Sequence, residues 1–289
     1  MFTPSATCRS ASTTAREVTQ KVSNQNRKTE RIQHELKFRI AAVVASEQVT
    51  PRIRRITLHS PAFEGFVSPG YDDHVRLFFA PEGAELALPE PGPNGLRFPD
   101  DVRPEGRDYT PRSFDPERNE LVIDFVIHGD GPASNWARDA VAGDTVGVGG
   151  PRASFLVRES YDWYLLVGDE TAMPAIWRRL RELREAPALA FIEVRDADEK
   201  RALDIPPGAD VRWVLRHGLA AAHDARLLHS VRVSELPPGR CYAFVAGEAE
   251  LAKAIRRHLV EERGFDAADV KASGYWRRGE RNHYDGHEH

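Results

Sequence analysis

The sequence predicts two domains in series, an all-β barrel followed by an α/β three-layer domain. Three observations carry that prediction. The chain has 289 residues, and a domain takes roughly 150. From Leu36 to about Phe155, short apolar strands recur between Gly and Pro turns, the pattern of a barrel or sandwich. From about Asp162, strands alternate with helices, which implies a mostly parallel sheet with ligands at the carboxyl ends of its strands.

Residues 1–33 are rich in Ser, Thr, Arg, Asn and Gln. They hold too little apolar surface to offset ordering entropy, so a disordered extension is expected. The stretch lacks the apolar centre of a secretory signal. Arg9 and Arg16 among hydroxyl residues faintly resemble an organellar transit peptide, and a dispensable extension is the preferred reading.

The barrel then spans 34–158. Phe38–Val44 reads as a strand, and Pro51 separates it from Ile53–Leu58. Ile53 and Ile56 do not alternate strictly, so a bulge or bend is expected there. In His74–Phe79, Val75, Leu77 and Phe79 share one face, with His74, Arg76 and Phe78 on the other. Residues 80–104 carry many Pro and Gly and read as a long loop. Leu121–Ile127 and Thr145–Val148 are further strands, the latter closed by Gly149-Gly150-Pro151.

The α/β domain spans 159–280. Trp163–Val167, Ala188–Val194, Val211–Leu215, Cys241–Ala246 and Val270–Gly274 read as strands. Pro174–Glu185 is helical, with Pro in the first turn, where its missing N–H does no harm. Glu248–Arg263 is a helix stopped by Gly264. Residues 281–289 read as a flexible tail.

Composition excludes several classes. Lys and Arg number 40 against 44 Asp and Glu, a net charge of −4, unlike the basic field of a nucleic-acid binder. No apolar run approaches the roughly 18 residues of a membrane helix. Two cysteines, Cys8 and Cys241, exclude a disulfide scaffold and a four-thiolate zinc or iron–sulfur site. Redox chemistry here would need a borrowed cofactor. So few cysteines fit a reducing cytoplasm, and a monomer is expected.

Two segments carry candidate chemistry. In Arg107-Asp108-Tyr109-Thr110-Pro111-Arg112 the Arg offers a planar fork for phosphate, the Tyr a plate for a flat ring, and the Thr a hydroxyl for a ring nitrogen. Together they would hold a dinucleotide flavin; an ordinary charged surface strand is the alternative. In His128-Gly129-Asp130-Gly131-Pro132-Ala133-Ser134-Asn135-Trp136-Ala137 a strand ends in a glycine turn that opens a helix. The free N–H groups of a helix start suit a pyrophosphate, and Ser134 could cap or donate. An ordinary capped turn is the alternative.

These segments, with Gly149-Gly150-Pro151-Arg152-Ala153-Ser154, resemble the siderophore-interacting proteins, FAD-dependent ferric-siderophore reductases of the ferredoxin–NADP reductase type. Asp169-Glu170-Thr171-Ala172-Met173-Pro174-Ala175-Ile176, Ala246-Gly247-Glu248 and Ala272-Ser273-Gly274-Tyr275-Trp276-Arg277-Arg278-Gly279 extend the likeness in order, from about Phe38 to Gly279. Each motif is modest; the ordered set is specific.

The resemblance implies an all-β Greek-key barrel followed by an α/β three-layer nucleotide-binding domain, ferredoxin reductase-like. It implies FAD on the barrel and NADPH or NADH on the second domain. Arg107, Tyr109, Thr110 and Arg112 would seat the flavin, with Thr110 near its reactive nitrogen. His128, Gly131, Ala133, Ser134 and Trp136 would hold its phosphates or adenine side, and Asp169, Thr171 and Trp276 complete the cofactor set. Pro111 departs from the family's usual Val or Ile; at an edge it would change nothing, whereas in mid-sheet it would disturb the strand. No Gly-x-Gly-x-x-Gly follows Val167, so a dinucleotide fingerprint is absent. Arg195 and Arg216 could bind a 2′-phosphate, or be ordinary surface charges.

The implied activity is hydride transfer from nicotinamide to flavin, then single electrons to ferric iron in a chelate, with no catalytic side chain and no resident metal. Anionic ferric triscatecholates would need a cationic site, for which Arg76, Arg152 and Arg277 (or Arg278) are candidates. The alternatives are a general NAD(P)H:flavin or electron-transfer reductase and a flavin or siderophore carrier without turnover. Arg178, Arg179, Arg181 and Arg184 interleave with Glu182 and Glu185 as a solvated helix face. The His283, Asp285, His287 and His289 tail lacks a framework for a metal, and Cys241 reads as an inert core residue.

Overall fold

The structure, a computed structural model, describes residues 29–81, 83–92, 95–98, 104–202, 205–221 and 225–280. The remainder of the N-terminal extension (1–28) and the histidine-bearing tail (281–289) lie outside the described residues.

The first half is a seven-stranded antiparallel sheet curled around one core. Its strands are β2 (Phe38–Thr50), β3 (Ile53–His59), β4 (Val75–Phe79), β7 (Glu105–Tyr109), β8 (Ser113–Asp115), β9 (Glu120–Val126) and β10 (Thr145–Gly149), in the order β7-β4-β10-β2-β3-β9-β8. Period-two alternation sends Leu58, Val75, Leu77, Leu121, Ile123, Val146 and Val148 inward, each fully buried. Helix α1 (Pro132–Asp139) closes this core with Ala133 and Ala137.

The segment read as an extension is partly ordered: Thr29–Gln33 forms β1, paired antiparallel with β11 (Ala153–Val157). The region read as one long loop contains a small ribbon, β5 (Glu90–Gly92) with β6 (Gly95–Arg97). The expected irregularity falls on β2, whose register against β3 shifts past Val44 and Val49. β3 itself pairs with β9 without a break. Ile53 and Ile56 are both buried because they serve different cores: Ile56 fills the barrel, and Ile53 packs against the second domain.

The second half is a five-stranded parallel sheet of β12 (Trp163–Gly168), β13 (Ala188–Val194), β14 (Ala209–Leu215), β15 (Cys241–Glu248) and β16 (Val270–Trp276), in the order β14-β13-β12-β15-β16. Alternate residues of β12 face opposite ways. Tyr164 and Leu166 meet α2 (Met173–Leu183), while Trp163, Leu165 and Val167 meet α3 (Arg226–Val233) and α4 (Ala249–Arg257). The result is three layers, helix on sheet on helix. After Arg257 the last helix continues as one π turn through Glu262. The strand order reverses between β12 and β15, so a ligand crevice is expected at their carboxyl ends.

The two halves are packed together. The Tyr71 and Tyr242 hydroxyls lie 3.3 Å apart, and Lys271 pairs with Asp72 at 2.6 Å. Thr50 on the barrel donates to Glu199 of the second domain.

Candidate functional site: a cleft between the domains

A cleft of about 310 Å³ opens where the barrel meets the carboxyl ends of β12 and β16. The barrel contributes three features. At the end of β7, Arg107, Tyr109 and Thr110 all line the cleft. Tyr109 lies against Phe125, ring centroids 4.5 Å apart, and burial pushes its phenol well above the usual range. Arg107 is braced by Glu105 at 3.0 Å and the Gly106 carbonyl at 2.8 Å.

The second feature is the start of α1. Gly131, Ala133 and Ser134 line the cleft, and the space a Cβ on Gly131 would enter is open. The first helical bond runs from Asn135 N to Gly131 O, 2.8 Å. The amides of Ala133 and Ser134 therefore have no intrahelical acceptor, while Pro132 has no N–H to satisfy. The Ser134 hydroxyl accepts from His128 N at 3.3 Å, tying strand end to helix start. Burial pulls the His128 imidazole down, against the opposing charges of Asp169 and Glu170. The third feature is the β4 rim, His74 and Arg76.

The α/β domain supplies Thr171 and Pro174 at the start of α2, and Ser273 to Arg277 along β16. Asp169 lies just behind this wall. Its carboxylate accepts from the Trp276 indole N–H at 2.8 Å and from Thr171 N and Oγ1 at 2.9 and 2.5 Å. Burial, then the neighbouring Glu170, raises its pKa despite those donors. Gly247, at φ +139°, passes so close that a Cβ there would come within 2.7 Å of Asp169 Oδ2.

Five expected site residues stand elsewhere. Arg112 does not line the cleft: its guanidinium stacks 4.0 Å from the Trp177 ring centroid and pairs with Asp124 at 3.2 Å. Trp136 packs into the barrel core between Phe79 and Phe125. Asp169 acts through Trp276 and Thr171 rather than from the wall. Arg152 follows the cis Gly150–Pro151 bond and does not line the cleft. Arg216 is buried and doubly bonded to Glu170 at 2.7 Å, with Glu193 at 3.4 Å, so it is committed to the interior rather than to a phosphate. Pro111 is in neither strand: it lies between β7 and β8, so its missing N–H breaks no ladder.

Sequence reasoning missed Asp124 and misread Arg178 and Arg179 as a solvated helix face: Arg178 is bonded to Ser68 and Pro111 of the barrel, and Arg179 is buried. Asp124 is buried on β9, receives Arg55 in two bonds of 2.8 and 3.2 Å, and has Arg112 and Arg201 at 3.2 and 3.1 Å. Burial opposes its charge, but the three arginines outweigh it and hold its pKa low. Arg112 is pushed down to about 10, by burial first, with Arg55 and Arg201 adding to it against the pull of Asp124. A lone acid in Leu121-Val122-Ile123-Asp124-Phe125-Val126 was the available signal.

An aromatic plate, a hydroxyl, an arginine and a helix N-terminus around one cleft fit an isoalloxazine and its pyrophosphate. A curled antiparallel sheet joined to a parallel α/β sheet across such a cleft is the plan of a two-domain flavin reductase. A ferredoxin NADP⁺ reductase from Neisseria gonorrhoeae, solved with bound FAD and NADP, shares the fold at 15% identity and a TM-score of 0.58, with 84% of this chain and 100% of that one covered.

The chain belongs to the siderophore-interacting protein family: residues 42–155 match its siderophore-interacting FAD-binding domain and residues 161–279 match the siderophore-interacting protein domain. It is 36% identical over 259 residues to the NADPH-dependent ferric-chelate reductase of Escherichia coli, covering 88% of this chain and 99% of that protein. A siderophore utilization protein from T. fusca superposes with a TM-score of 0.83 at 40% identity, covering 89% and 98% of the two chains.

Proposed function

We propose that this protein is an FAD-dependent, NADPH-driven reductase of ferric-siderophore complexes that releases ferrous iron. The observation that carries the reading is the single cleft onto which Tyr109, Thr110, the α1 N-terminus and the Thr171–Trp276 wall all converge. Bound FAD supplies the conversion between a two-electron hydride donor and one-electron ferric acceptors, so one nicotinamide serves two chelates.

The chain's own residues bind and orient. Tyr109 would offer its ring to the flavin, Thr110 its hydroxyl to the reactive nitrogen, and Arg107 with the Ala133 and Ser134 amides would hold the pyrophosphate. Gly131 leaves room for it, and His128, whose pKa burial lowers, borders the same wall. Thr171 and Pro174, at the reversal of strand order, would receive the nicotinamide dinucleotide, and Trp276 on β16 would border the flavin. Arg76 and Arg277 sit on the outer rim, where a bulky chelate would approach. The barrel is read as a Greek key spanning 34–158 and the nucleotide domain as 159–280. A cytoplasmic monomer is part of the same proposal; among the described residues no helix is long and apolar enough to cross a membrane.

The test is anaerobic: NADPH should bleach the yellow protein, and a ferric chelate should restore the colour while ferrous iron is trapped by a chromogenic chelator. A protein whose flavin bleaches but passes electrons only to free flavin or dyes would be a general reductase instead.

A further inference from the structure

We infer that the chelate accepted here is an uncharged ferric complex of the trishydroxamate type, and that anionic triscatecholates are disfavoured. The inference rests on the ferric-siderophore reductase reading. Its chemistry is a charge count. Three hydroxamates each lose one proton and cancel the ferric charge; three catecholates each lose two and leave a trianion.

A trianion needs surplus positive charge where it docks, and the rim provides little. Arg76 gives Nη1 to both oxygens of Asp108 at 3.1 Å and Nη2 to the Gly106 carbonyl at 3.2 Å. Arg277 is shared between Glu250 at 2.9 Å and Glu280 at 3.1 Å. Arg152 is not part of the cleft. Deeper in, Lys271 is matched by Asp72 at 2.6 Å, both nearly buried. Of the three arginines gathered on Asp124, Arg112 stacks on Trp177, and Arg201 and Arg112 are largely buried.

Exposed ion pairs of this kind add little stability. They matter here because each cancels a charge. A paired cation and anion act at a distance as a dipole, so the long-range pull on an anion is lost. A bound FAD would add its own phosphate charges. A trianion would therefore have to break the Asp108 and Glu280 pairs before gaining Arg76 or Arg277, whereas a neutral complex docks with the pairs intact.

The test uses the FAD-loaded protein and gallium(III) complexes, which copy the ferric charge and shape but are not reduced, so redox potential does not enter. A neutral gallium cyclic trishydroxamate and a trianionic gallium triscatecholate are titrated by calorimetry at low and physiological salt. The neutral complex should bind at least about tenfold more tightly, with little salt dependence. The double variant Asp108→Asn, Glu280→Gln, which unpairs Arg76 and loosens Arg277, should narrow the gap by strengthening the trianion. Equal or tighter binding of the trianion to the unaltered protein overturns the inference and leaves the reductase reading standing. Binding of neither complex also overturns it, and the reading is then judged separately by ferrous iron released with NADPH.

Discussion

The guanidinium of Arg178, on α2 of the α/β domain, donates to the carbonyl oxygen of Pro111, 3.1 Å away and one residue past Thr110. The same side chain donates to the Ser68 carbonyl at 2.5 Å and its hydroxyl at 3.1 Å. A helix that begins at the α/β wall of the cleft therefore grips the segment that carries the proposed flavin contact. Proline at 111 has no N–H, so its carbonyl is the main-chain polar group it offers, and that group is held from the other domain.

Arg178→Met should accordingly do two things. It leaves three acceptors without their donor, a loss of about 3 kcal/mol for bonds to a charged group, read by urea unfolding. It should also weaken FAD binding and slow flavin reduction at saturating NADPH, because Thr110 loses its brace. Arg178→Lys should recover part of both. A variant less stable but unchanged in flavin affinity, spectrum and reduction rate would make the contact purely structural.

Asp124 predicts a pH signature. Its folded pKa lies below the usual carboxylate value, so the stability it contributes is complete above about pH 4 and is lost as pH falls through the lower folded pKa. Asp124→Asn leaves the Arg55, Arg112 and Arg201 cluster uncompensated and should cost about 3–5 kcal/mol at neutral pH. The stability gap between the native protein and this variant should shrink on acidification below about pH 4. A gap that stays constant or widens there would contradict the assignment.

Arg216 separates an interior role from a phosphate-reading one. Arg216→Met strands the buried Glu170 and Glu193 carboxylates and should cost about 3–5 kcal/mol. Preference for NADPH over NADH should stay where it was among molecules that remain folded. A stable variant with a selectively raised KM for NADPH would return Arg216 to the nucleotide.

Tyr109→Ala should weaken FAD binding by about tenfold or more through loss of ring contact, measured by fluorescence titration of the apoprotein. Thr110→Val keeps the shape and removes the hydroxyl. It should leave FAD bound but alter the flavin absorbance bands and midpoint potential, and unaltered bands and potential would remove Thr110 from its proposed role.

Much of this was legible in the chain because local patterns dictated it. The unbroken apolar run Trp163–Val167 announces a strand buried on both faces, and Gly131-Pro132-Ala133-Ser134 announces a helix start with free amides. What stayed hidden depended on partners distant in sequence. β1 exists only because β11 pairs with it, and α3 buries only Leu227 and Val231, too thin a stripe to mark a helix. Arg76, Arg277 and Arg216 look alike as letters. The carboxylates 32, 27 and 46 positions away decide how far each charge is cancelled, and no spacing rule reveals such pairs.

The central claim is that this cleft holds FAD as the relay between a nicotinamide and a ferric chelate. Its most direct test is one anaerobic absorbance titration of the purified, FAD-loaded protein. The account predicts stoichiometric yellow flavin, bleached by NADPH and recoloured by a ferric siderophore with two ferrous ions trapped per nicotinamide. A protein that takes up no FAD, or whose bound flavin stays yellow under excess NADPH, would contradict it.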